Sequence, residues 1–254
     1  MFLEEITART DARVARLKQA GVPRTRTAGP PRPMAEAIRR RGFGVVAECK
    51  HRSPSKGWLT DRYDPVAQAR GYEARGAAAI SVLTEPDFFA GSLEHLAAVR
   101  EAVGLPVLRK DFLRDPLQVE EAWAWGADAV LVIVRILDGD AGRLQALLEA
   151  AAALGLDALT EVHSPAELDQ ALAAGARFVG VNNRDLDSFE TRLDFSREMA
   201  PRLPPGVTAL SESGYRTAEE ALLARSWGYR GILVGETLMR GGTLLDGINA
   251  WGSR

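Results

Sequence analysis

Eight short apolar runs recur along this chain, at residues 44–50, 78–83, 106–110, 128–134, 157–162, 177–182, 207–212 and 231–235. Stretches of helical character separate them: Pro65–Arg75, Leu93–Val103, Pro116–Trp125, Ala141–Leu154, Pro165–Ala174, Arg192–Met199 and Ala218–Ser226. A last helix is expected within Thr243–Trp251. Several runs follow a turn carrying glycine, at Gly76, Gly126, Gly175 and Gly228. Glycine there suits a helix C-terminus that feeds the next strand. Eight strand–helix units, repeating roughly every 27 residues, predict an α/β fold of the (β/α)8 TIM-barrel kind. The rival is a doubly wound open sheet, but its Gly-x-Gly-x-x-Gly turn after the first strand is missing.

Ahead of the first run, residues 1–19 read as an amphipathic helix with Phe2, Leu3, Ile6, Val14 and Leu17 on one side. A Pro/Arg-rich connection (23–33) and a short helix (Met34–Arg41) follow. This segment has too little apolar surface for its own core. Residues 1–42 are therefore expected to be an N-terminal helical extension of a single domain spanning 1–254. No apolar run approaches the ~18 residues that cross a bilayer, and the charged N-terminus lacks the apolar core of a signal peptide. A net charge of −2 gives no electrostatic reason to expect nucleic acid or an anionic membrane as partner. One cysteine rules out an intramolecular disulfide framework and fits a reducing cytoplasm. The expectation is a cytoplasmic protein, monomeric or weakly homo-oligomeric, acting on a small molecule.

Barrel enzymes place their chemistry at the C-terminal ends of the strands. Side chains alternate along a strand, so Glu48 and Lys50 share the inner face while Cys49 points out toward the helices. By the same phase Lys110 follows Leu108, Glu161 follows Leu159, Asn182 follows Gly180, and Glu212 follows Leu210. Three glutamates and two lysines in one cup compensate one another, whereas each alone would carry a heavy desolvation cost. The lysines carry extra weight. Of 32 basic residues only Lys18, Lys50, Lys56 and Lys110 are not arginine, and an ammonium whose pKa is shifted down can give up a proton near neutrality where a guanidinium cannot. After the last two strands come Ser213-Gly214 and Gly235-Glu236. Loops at these positions, with a helix N-terminus, recurrently bind phosphate, so a phosphorylated ligand is favoured. His51, His95 and His163 lack the spacing of a metal site, and no metal is expected.

The run Glu48-Cys49-Lys50-His51-Arg52-Ser53-Pro54-Ser55-Lys56-Gly57 resembles the first-strand signature of the indole-3-glycerol-phosphate synthase family. The likeness continues through Leu83–Ser92, Leu108–Phe112, Thr160–His163, Gly180–Leu186, Ser211–Gly214 and Val234–Met239. Only Cys49, His51 and Arg135 depart noticeably from the expected pattern. The resemblance implies a lyase without a cofactor. It converts 1-(2-carboxyphenylamino)-1-deoxyribulose 5-phosphate to indole-3-glycerol phosphate in tryptophan biosynthesis, releasing CO2 and water. It implies Lys110 as general acid, and Glu161 as the group moving protons during dehydration, with its pKa raised by neighbouring carboxylates. Glu48, Asn182 and Glu212 orient substrate hydroxyls and hold Lys110. Lys50 meets a substrate anion, carboxylate or phosphate. Ser213, Gly214, Gly235 and Glu236 hold phosphate largely through backbone N–H groups, and Phe89, Phe112 and Leu131 wall the anthranilate ring. Ser53, Lys56 and Arg184 complete the binding set, with Ser53 to Gly57 as a mobile loop.

Two other readings compete. A phosphoribosylanthranilate isomerase would need a cysteine on strand one facing the site, and the phase of Cys49 is wrong. A non-catalytic phosphosugar-binding barrel would not require the pair Lys110 and Glu161.

Overall fold

Eight strands close into an all-parallel barrel in the computed structural model, which describes residues 2–60 and 62–252. They are β1 (Gly44–Cys49), β2 (Ala79–Leu83), β3 (Val107–Lys110), β4 (Ala129–Ile133), β5 (Asp157–Val162), β6 (Phe178–Asn182), β7 (Thr208–Glu212) and β8 (Gly231–Val234). Each strand pairs with its neighbours in sequence, and β8 closes on β1 with Val46 opposite Leu233. No strand bound lies more than one residue from the expectation. Met1, Asp61, Ser253 and Arg254, included in the expected 1–254 domain, lie outside the described residues.

The helices are α1 (Phe2–Ala20), α2 (Met34–Arg40), α3 (Pro65–Ala74), α4 (Pro86–Phe89), α5 (Leu93–Ala102), α6 (Pro116–Ala124), α7 (Ala141–Ala153), α8 (Pro165–Ala173), α9 (Leu193–Met199), α10 (Ala218–Ser226), α11 (Glu236–Met239) and α12 (Leu244–Gly252). Local chemistry starts and stops them. Asp115 caps α6 in a capping box with Gln118, behind Pro116 at the first position. Ser164 and Thr217 cap α8 and α10 by accepting from backbone N–H groups of the first turn. Gly126, at φ 95°, takes the left-handed conformation that ends α6 and turns the chain into β4. The sequence reading missed α4, a two-stranded hairpin pairing Arg52 with Trp58 and Ser53 with Gly57, and a 3-10 turn, Val134–Leu137, after β4. All three are too short to show a periodicity.

The extension runs from one end of the barrel to the other. At the C-terminal end of the strands, Arg13 of α1 reaches the buried carboxylates of Glu85 (2.7 Å) and Asp111 (3.3 Å), and Asp11 meets Arg114 at 2.7 Å. At the opposite end, Arg26 donates to the carbonyls of Trp123, Gly126 and Ala127 where α6 ends. The fully buried Asp128 ties this segment down. It accepts from the Arg32 N–H at 2.8 Å and pairs with Arg26 (3.3 Å) and Arg100 (2.7 Å). Helix α2 then covers the floor, burying Met34 and Ile38, and its Ala35 N–H donates to Asp157 at 2.9 Å.

Val46, Leu108, Leu159 and Leu210, from alternate strands, are fully buried in the barrel interior. Side chains of such a barrel stack in layers of four drawn from alternate strands. Two residues further along the same strands stand Glu48, Lys110, Glu161 and Glu212, so an apolar layer supports a charged one.

Candidate active site

The charged layer places one ammonium among three carboxylates. Lys110 Nζ lies 3.4 Å from Glu161 Oε2 and 3.3 Å from Glu212 Oε2. Glu48 pairs closely with Lys50 on the same strand face, as the period of two requires. Asn182, on β6 between the strands of Glu161 and Glu212, hydrogen-bonds Glu161 and accepts from the Arg184 N–H at 3.0 Å. Glycines make room for the carboxylates. A Cβ at Gly180 would collide with Glu212 Oε1, and one at Gly235 with Glu48 Oε1.

The layer sets its own ionisation. Burial disfavours the Lys110 ammonium, but the carboxylates of Glu212, Glu161 and Glu48 outweigh burial and hold it charged well above its ordinary pKa, opposite to the shift toward neutrality that the sequence suggested. Burial also opposes ionisation of Glu161, yet Lys110 and a hydrogen bond from His163 prevail and push its pKa down. Burial together with the neighbouring Glu161 raises Glu212, against the pull of Lys110. Burial and Lys50 compete at Glu48, where the two lysines win and lower it. The rise expected for Glu161 therefore falls on Glu212. The sequence shows that the carboxylates are neighbours but not which of them has a cation on its far side.

Above this floor opens a cavity of about 1080 Å3. Glu48, Lys50, Lys110, Glu161 and Asn182 line it, with Ser53, Lys56, Phe89, Phe112, Leu131, Arg184, Ser213, Gly214, Gly235 and Glu236. Glu212 is the exception among the candidates. It is fully buried and meets the cavity through Lys110 rather than directly. The apolar part is a slot in which the rings of Phe89 and Phe112 stand 6.1 Å apart near Leu131. The polar part lies where β7 and β8 end. Ser213 and Gly214 both take left-handed backbone, at φ 69° and 93°, and α11 starts directly after Gly235. The Ser213 N–H is spent on Leu233 O at 3.1 Å, so Ser213 has its hydroxyl to offer an anion rather than its N–H. Arg184 stands beside these loops, 3.4 Å from Glu236 Oε2, and Arg240 reaches the other oxygen. The Glu236 carboxylate is thus held between two guanidiniums.

Cys49 is fully buried, and its Sγ faces Pro65 O at the start of α3 at 3.9 Å. Burial pushes the thiol far up, so it holds its proton on the helix side of the barrel wall. The cysteine demanded by the isomerase reading is absent from the site. Several lining residues escaped the sequence reading: Phe2 from α1, and Leu186, Phe189 and Thr191 from the loop after β6. Phe2 packs against Phe88 and Phe189, each at 5.3 Å, so the extension forms part of the rim. Nothing in their spacing marks them. His163, 3.2 Å from Glu161 Oε1, was weighed only as a metal ligand, although it shares the strand phase of Glu161.

A family model described as indole-3-glycerol phosphate synthase matches residues 3–249. A protein of that name from Roseiflexus castenholzii is 48% identical over 240 residues, covering 91% of this chain and 88% of the relative. Another, from Desulfotalea psychrophila, is 42% identical over 251 residues and covers 96% of both. A third, from Streptomyces coelicolor and named indole-3-glycerol phosphate synthase 2, is 46% identical over 242 residues, with 95% and 93% covered. With a match over nearly its whole length and these relatives, the chain belongs to the indole-3-glycerol phosphate synthase family.

Proposed function

We propose that the cavity closes the pyrrole ring of 1-(2-carboxyphenylamino)-1-deoxyribulose 5-phosphate and expels CO2 and water, giving indole-3-glycerol phosphate for tryptophan synthesis. One observation carries the assignment of roles: a lysine kept cationic by flanking glutamates on the floor of a cavity with an apolar slot and a polar end. Lys110 protonates the C2′ oxygen as the ring carbon bearing the carboxylate attacks C2′. The C–CO2 bond then breaks, and its electron pair restores the aromatic ring. Loss of the C2′ hydroxyl with a proton, and of a C1′ proton to Glu161, completes the indole. Because a carboxylate leaves as neutral CO2, each turnover takes up one proton.

The remaining residues divide by charge. Phe89, Phe112 and Leu131 suit the anthranilate ring. The Ser213 hydroxyl, the N–H groups of Gly214, Gly235 and Glu236, and the Arg184 guanidinium suit the phosphate. Lys50 is free to exchange Glu48 for a substrate anion, and Lys56 on the hairpin adds a second ammonium at the rim. The hairpin closes over the substrate, with Ser53 contributing from its first strand. The reaction as written calls for no cofactor or metal. The chain works in the cytoplasm as a monomer or weak homo-oligomer, without nucleic-acid partners; no described helix is long and apolar enough to cross a membrane. Incubation with the carboxyphenylamino substrate should generate the ultraviolet signal of an indole. Absence of that product with intact, folded protein contradicts the reading.

A further inference from the structure

A line of ion pairs leaves the acid–base floor and runs outward. His163 Nε2 lies 3.2 Å from Glu161 Oε1, and Nδ1 lies 3.5 Å from Glu167 Oε2 on α8. Glu167 also accepts from the His163 backbone N–H at 2.7 Å and pairs with Arg135 at 3.1 Å. Arg135 pairs in turn with Asp185 on the loop after β6 at 3.1 Å. The imidazole is buried between two carboxylates, one on each nitrogen. Both contacts are at ion-pair distance, and a proton on each nitrogen suits them, since a bare nitrogen would face an anion.

The charges around Glu161 are then complete. Facing it are Lys110 from β3, Glu212 from β7, Asn182 from β6 and His163 just past β5; Glu48 stands on β1 with Lys50 just past it, and among the described residues β4 lines the cavity with Leu131 and Ile133. Glu212 has Lys110 alone as cation, and its Oε1 is buried without a hydrogen-bond partner among the described residues. An unpaired oxygen is tolerable on a neutral carboxylic acid and costly on an anion. The two glutamates flanking Lys110 are therefore not equivalent, and His163 is what distinguishes them.

We propose that His163 is a positioning residue that keeps Glu161 ionised and leaves the proton of the glutamate pair on Glu212, so that one is ready as base while the other stores a proton for Lys110. This rests on the reading of the site given above. The reaction asks Lys110 for two protons, one for the C2′ oxygen and one for the departing hydroxyl. Glu212 passes its proton to Nζ between these steps, and Glu161 takes the C1′ proton. Afterwards the proton on Glu161 returns to Glu212, and solvent supplies Lys110 with one, which matches the single proton consumed.

The test is the pH dependence of kcat in H163Q, which keeps a polar side chain but removes the charge. The acidic limb should move up by about one pH unit or more, with activity recovering above it and KM little changed. A limb that stays in place, with kcat lowered equally at every pH or not at all, overturns the proposal. A second measurement needs no variant. In the wild-type protein the imidazole NMR signals of His163 should report the cation up to about pH 9, where the pairing with both glutamates places its titration; titration below 7 overturns the proposal as well. Wild-type protein that makes no indole contradicts the underlying assignment, whereas normal turnover with an unmoved limb contradicts only the role of His163.

Discussion

Glu48, Lys110, Glu161, Asn182 and Glu212 were legible in the sequence because strand phase alone decides which residues face the barrel interior. Their ionisation was not, since it depends on what stands behind each one. His163 lies in phase with Glu161, yet its value as a partner shows only when α8 places Glu167 on its other nitrogen. Burial would lower the pKa of His163, but its pairing with Glu161 and Glu167 raises it from the ordinary 6.5 to about 9. The contribution to stability is complete below 6.5 and is lost as pH rises through 9, on the order of 3 kcal/mol. Denaturant titrations at pH 6.5 and 9.5 should show this loss in wild-type protein and a much smaller one in H163Q. Gly180 gives a second check at this scale. Gly180→Ala puts a methyl group where Glu212 Oε1 sits, and should lower kcat at least tenfold and stability by about 1–3 kcal/mol. Activity close to that of the parent would show that Glu212 can move without consequence.

Among the elements, the long helices and barrel strands announced themselves through caps, glycine turns and apolar runs. The pieces that shape the rim did not. Helix α4, the Arg52–Trp58 hairpin and the loop after β6 are short, and the aromatic residues Phe2 and Phe189 carry no periodicity pointing to a site. Helix α1 is tied to the barrel by Arg13, which supplies a cation to the buried carboxylates Glu85 and Asp111. Arg13→Ala leaves that cluster short of a positive charge and should cost about 3 kcal/mol in urea denaturation. It should also raise KM, because α1 carries Phe2 to the cavity rim. A change in stability with KM untouched would separate the helix from substrate binding.

For the whole molecule, eight strand–helix units made the barrel readable from spacing, and the match over residues 3–249 agrees with that reading. How the extension spans the barrel was not readable, because single arginine-to-carbonyl contacts leave no pattern in a Pro/Arg-rich segment. Asp128 gathers this segment onto the barrel floor, far from the charged layer. Asp128→Ala should cost about 3–5 kcal/mol, because Arg26 and Arg100 lose their buried partner. If extension and barrel fold as one unit, thermal unfolding should remain a single transition at a lower temperature, with kcat retained below it. Two separate transitions would make the extension an independent layer.

Lys110, a cation held by three carboxylates, is proposed to donate the proton that the C2′ oxygen takes up. The most direct measurement is steady-state formation of the indole product from the carboxyphenylamino substrate by the wild-type protein and by Lys110→Ala. Product is expected from the wild-type protein, and a fall in kcat of about 10^2 to 10^4 with KM little changed in the variant. Near-normal turnover by a folded Lys110→Ala protein would contradict it.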